Sequence, residues 1–70
     1  MKTFVLIITI ESGTGGISFR VPVPGVTIQE ALEDMEKAIT MVEDAGGMRS
    51  DDDRVFYPYH TIKSFALVEN

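Results

Sequence analysis

From Phe4 to Ile10 the chain reads FVLIITI, seven residues of which only Thr9 is polar. Most are β-branched, and the run has the length of a strand. Side chains alternate across a strand, so Phe4, Leu6, Ile8 and Ile10 share one face, and Val5, Ile7 and Thr9 share the other. Both faces are apolar. Such a strand belongs at the centre of a sheet, covered on two sides. The chain has 70 residues with which to supply that cover.

This length allows one domain, residues 1–70, with a small core. There is no cysteine, so disulfides and cysteine-based metal sites are excluded. Hydrophobic residues make up 44% and charged residues 24%, a globular balance rather than a disordered one.

The first strand is expected over residues 2–10. Ser12-Gly13-Thr14-Gly15-Gly16 then reads as a hairpin connection. In residues 17–23, Ile17, Phe19, Val21 and Val23 alternate with Ser18, Arg20 and Pro22, the pattern of a half-buried strand. Pro22 lacks a backbone donor and places the end of that strand at a sheet edge. A helix is predicted over 28–45, with Thr27 as N-cap and Glu30 completing a capping box. Gly46-Gly47 ends it. Ile28, Leu32, Met35, Ile39 and Val42 fall on one stripe, flanked by Ala31, Ala38 and Ala45. Residues 46–53 read as a polar loop, and 54–59 and 61–69 as two more strands. The expected fold is a ββαββ α+β domain. Its sheet is mainly antiparallel, of three or four strands, with one amphipathic helix on one face.

Charge is unevenly spread. Residues 30–53 hold nine acidic side chains against Lys37 and Arg49, a local charge of −7, while the rest of the chain carries +2. The six basic residues are dispersed, which argues against nucleic-acid and anionic-membrane partners. The apolar run after Lys2 is too short to span a bilayer, and no small-residue cleavage site follows. A cytoplasmic setting is expected.

One helix covers one face of one sheet. Val5 and Ile7 are then left without cover. The last strand repeats the problem, with Ile62, Ala66 and Val68 on one side and Phe65 and Leu67 on the other. Burying one such side chain stabilises by ~1.5–3 kcal/mol, so an uncovered group of them is adhesive. Val5, Ile7, Phe65 and Leu67 are the expected contact face, and a second copy of the chain is the expected partner. The second candidate surface is the acidic face of the helix, through Glu30, Glu33, Asp34 and Asp44. It would suit a basic protein, whose approach the carboxylates would steer.

Other motifs are weaker. The glycines near residue 15 are followed by a strand, whereas a phosphate-binding loop leads into a helix. Asp51-Asp52-Asp53 offers oxygen ligands, but adjacent carboxylates do not converge on one ion. His60 has no nucleophile or base at a useful spacing. Phe56, Tyr57, Tyr59 and His60 lack the basic groove of a base-stacking platform. The expectation is a non-catalytic chain with no cofactor and no metal.

Gly15-Gly16-Ile17-Ser18-Phe19 followed by Pro22-Val23-Pro24-Gly25-Val26-Thr27-Ile28-Gln29-Glu30-Ala31-Leu32 partly resembles HicB-type antitoxins. The resemblance covers about the first 45 residues and implies a ββαβ unit that neutralises a small ribonuclease. This chain departs from that pattern in lacking the family's extra strand between Pro-Gly and Thr, in a shorter proline spacing, and in having no DNA-binding extension. The segment from His60 to Phe65 also resembles small ββαββ proteins of phages and mobile elements. An acidic inhibitor of the antitoxin kind is therefore the alternative to a self-associating module.

Overall fold

The computed structural model describes residues 3–12 and 15–70. Among them the chain forms β1 (Phe4–Ser12), β2 (Gly15–Val23), α1 (Ile28–Ala45), β3 (Gly47–Arg49), β4 (Phe56–Pro58) and β5 (Ile62–Glu69). The fold is α+β, in the order expected from the sequence. Gly13 and Thr14, the middle of the expected hairpin turn, and Lys2, the expected start of the first strand, lie outside the described residues.

β1 is the central strand of a three-stranded antiparallel sheet ordered β2-β1-β5. Its two apolar faces account for that position. Phe4, Leu6, Ile8 and Ile10 pair with Val23, Val21, Phe19 and Ile17 of β2. Leu6, Ile8 and Ile10 form the core, with Met35 and Ala38 of the helix and Met48 and Tyr57 of the short strands packed against them. The helix and the β3–β4 pair therefore lie on the same side of the sheet.

The capping box is formed: Thr27 Oγ1 accepts from the Glu30 N–H at 3.2 Å, and the Glu30 carboxylate accepts from the Thr27 N–H at 3.2 Å. Gly46 closes the helix at φ 80°, the left-handed conformation that glycine adopts without steric cost. The helix is rotated relative to the expected stripe. Ala31 is fully buried and Met35 and Ala38 are half-buried, whereas Ile28 and Leu32 are 57% and 43% exposed. Small side chains let a helix axis approach a sheet closely, so the alanine row takes the centre and Ile28 and Leu32 are displaced to one flank.

The polar segment 46–53 contains a strand that its composition conceals. β3 pairs antiparallel with β4 through Gly47–Pro58, Met48–Tyr57 and Arg49–Phe56. Gly47 has φ 154° and lies against the Tyr57 carbonyl, where a Cβ has no room. Met48 reaches the core, and the Tyr57 ring packs on Phe19 with centroids 5.6 Å apart. The Tyr59 N–H donates to the Gly46 carbonyl at 2.7 Å, tying the 3-10 turn Tyr59–Thr61 to the helix end.

Candidate functional site

Two surfaces of the fold stand out. The first is the sheet face opposite the Leu6–Ile8–Ile10 core on which the helix and the β3–β4 pair pack. The register arranges it in rows across β2, β1 and β5: Pro22, Val5, Val68; then Arg20, Ile7, Ala66; then Ser18, Thr9, Ser64. The face is thus apolar at the Val5 end and hydroxyl-bearing at the Thr9 end. Pro22, Arg20 and Ala66 are exposed, and Ile7 and Val68 half-buried. Val5, between Pro22 and Val68, is only 8% exposed.

The register corrects the expected contact face. Phe65 and Leu67 pair with Ile8 and Leu6, so they stand on the helix side of the sheet, and Phe65 packs against the core. The cause is an irregularity opposite Thr9 and Ile10: Ser64 pairs with Thr9 but Ile62 pairs with Ile10, leaving Lys63 as an extra residue. A bulge shifts strand alternation by one, and here it moves Ile62 to the same side as Phe65. Val5 and Ile7 therefore share their face with Ala66 and Val68.

The second surface is the outer side of α1. Its four expected carboxylates divide into two kinds. Glu30 is engaged in the capping box. Asp34 is half-buried, and its carboxylate accepts from the Gly25 N–H at 2.8 Å. A Cβ on Gly25 would come within 2.6 Å of the Ala31 nitrogen, so this turn sits directly against the helix. Glu33 and Asp44 are exposed. Glu33 borders a shallow hollow of about 550 Å³, with Glu36, Lys37, Thr40 and Met41. All five residues stand on one helix, so the hollow has no second wall and suits a protein surface better than a small molecule. Met41 is 71% exposed within it. Sequence reasoning passed over Glu36 and Glu43, which are also exposed on this helix; their spacing of i, i+7 was the available signal.

The remaining candidates do not assemble. Asp52 organises its own loop: Ser50 Oγ donates to Asp52 Oδ1 at 2.6 Å, and the Arg54 N–H donates to the same oxygen at 3.1 Å. These two bonds, the hydroxyl first, hold the Asp52 carboxyl below its ordinary value. Among the described residues no group of three or more His, Asp or Glu side chains is placed to hold a metal ion. Tyr57 belongs to the core, while His60 is exposed on the 3-10 turn, so the aromatic residues do not form one platform. Among the described residues no helix is long and apolar enough to cross a membrane.

No family model, no curated protein and no solved structure matches this chain. Function has to be read from its surfaces.

Proposed function

We propose that this chain is a non-catalytic protein-interaction module of the cytoplasm that associates with a second copy of itself through the open face of its sheet. The observation that carries the reading is the central strand. β1 is apolar on both sides, and the helix and the β3–β4 pair pack on the Leu6–Ile8–Ile10 side. Ile7, Ala66 and Val68 are the contact residues, with Pro22 at the edge and Val5 buried between Pro22 and Val68. Nucleic acid and membrane are not partners in this reading, and no cofactor is needed.

The size of the face sets the strength. Three strands ~4.8 Å apart, about eight residues long at ~3.3 Å per residue, present roughly 400 Å². Two copies face to face would bury about 800 Å², below the ~1,200–2,000 Å² of stable complexes. Association should be concentration-dependent, with a Kd on the order of micromolar or weaker. Sedimentation equilibrium over a wide concentration range tests it. A reversible monomer–dimer equilibrium that Ala66→Lys abolishes supports the reading; a monomer up to millimolar concentration overturns it.

A second reading is favoured by Met41. An exposed methionine in a hollow with Glu33, Glu36, Lys37 and Thr40 offers an adaptable apolar contact on an acidic helix. On that reading α1 engages a basic protein, as an inhibitor would. Charge reversal at Glu33 and Asp44 should then abolish capture of a basic partner while the fold is retained, and unchanged capture would remove it.

A further inference from the structure

The rotation of α1 leaves an apolar ridge in solvent. At ~100° per residue, Ile28, Ile39, Leu32, Glu43 and Glu36 follow one another around about 80° of the helix. Ile28 and Leu32 are one turn apart and exposed, and Val26, just before the helix, is 56% exposed. Ile39 is half-buried behind them, and Glu36 and Glu43 are exposed beside them. The core does not use Ile28 and Leu32 as its centre, because the Ala31–Ala38 row fills that place.

We propose that this ridge, Val26, Ile28 and Leu32 bordered by Glu36 and Glu43, docks a basic amphipathic helix of another protein. The inference keeps from the second reading above only that the partner is basic, and it moves the contact to the other side of α1, since Met41 lies about 180° around the helix from Leu32. Charge complementarity selects the occupant. Apolar anchors at i and i+3 or i+4 would cover the ridge, while lysine or arginine stems run past it to the carboxylates. The helix of a second copy does not fit, because α1 carries six acidic side chains against Lys37, a charge of −5, and would repel it. Glu43 adds a further indication. The last turn of α1 has no basic residue, so this carboxylate faces the negative end of the helix dipole, where it is unfavourable to the helix itself.

The probe is a fluorescein-labelled Leu/Lys peptide of about 14 residues with leucines at i, i+3, i+4 and i+7. A scrambled peptide of equal composition but no apolar face is the comparison. Binding is read by anisotropy at low and moderate salt. The amphipathic peptide should bind at least about tenfold more tightly than the scrambled one. Leu32→Gln or Ile28→Gln should remove that advantage, with thermal unfolding showing that the fold is kept. Glu36→Lys with Glu43→Lys should weaken both peptides and flatten the salt dependence. Equal binding of the two peptides, unaffected by Leu32→Gln, overturns the ridge but leaves the basic-partner reading standing. Binding of neither overturns both.

Discussion

Phe65 and Ala66 are adjacent in sequence and on opposite faces of the sheet, so a pair of substitutions separates folding from association. Phe65 packs against the Leu6–Ile8–Ile10 core, and Ala66 is exposed on the open face. Truncating a fully buried Phe to Ala costs ~3–5 kcal/mol; Phe65 is half-buried, so about 2 kcal/mol is expected for Phe65→Ala. That is a large share of the roughly 4–10 kcal/mol available to a chain of this length. The melting midpoint should fall by about 8–16 °C. Ala66→Lys removes no core contact and should change stability by no more than ~0.5 kcal/mol. Its effect should appear in association, where a lysine in each copy places a desolvated charge in the contact. Thermal unfolding and sedimentation equilibrium of both variants check the pair. If Ala66→Lys lowers the midpoint as far as Phe65→Ala does, the assignment of faces is wrong. If Ala66→Lys folds and dimerises like the parent, the open face is not the contact.

The two glycines after the helix should differ in a way their sequence does not suggest. Gly46→Ala meets only the left-handed backbone, with open space for a Cβ, and should cost ~1–2 kcal/mol. Gly47→Ala adds a collision with the Tyr57 carbonyl to an unfavourable φ and should cost on the order of 3 kcal/mol or more in urea unfolding; equal losses would refute the close approach of β3 to β4. Glu43→Lys should stabilise by ~0.3–1 kcal/mol, since it replaces an anion with a cation at the helix C-terminus, and an unchanged or lowered midpoint would count against that placement. Asp52 has a folded-state pKa below its ordinary value of 3.8, so the stability it supplies is present above that value and is lost as pH falls through the folded one. In urea midpoints measured against pH, the gap between the parent and Asp52→Asn should therefore close in acid; a gap constant down to pH ~2 would refute the two hydrogen bonds to its carboxylate.

Much of the fold was legible because the signals were local. The two-faced apolarity of Phe4–Ile10 gave the central strand. Thr27 and Glu30 gave the helix start, and Gly46 its end. Three features were hidden because they depend on distant contacts. β3 lies in a polar, glycine-bearing segment, and its pairing is set by the fit of the Gly47 backbone against Tyr57 rather than by any alternation. The bulge at Lys63 leaves no mark in composition, yet it decides that Phe65 faces the core and Ala66 faces away. The rotation of α1 also reverses a natural preference. Periodicity marks the line of large aliphatic residues, whereas the distance at which a helix sits on a sheet is set by the smallest residues between them. Among the acidic candidates, spacing showed which residues share a face but not which were already engaged. Asp34 is drawn to the Gly25 N–H, nine residues away, by a turn whose closeness only the assembled fold reveals.

That division of the carboxylates bears on how the helix is to be understood. Glu30 and Asp34 secure the first half of α1: one caps it and the other ties it to the turn after β2. A hydrogen bond to a charged acceptor is worth ~1.5–3 kcal/mol net, so these two residues have a sufficient reason in stability alone. Glu36, Glu43 and Asp44 have no such reason. They are exposed, and the last two sit where the helix dipole disfavours them. Leu32 and Ile28 stand on the same side as Glu36 and Glu43 and leave 43% and 57% of their surface to solvent. A chain this small has little stability to spare. The exposed residues that the fold does not use are therefore the ones whose place a partner would explain, and Ile28, Leu32, Glu36 and Glu43 lie together within about 80° of α1, with Asp44 outside that arc.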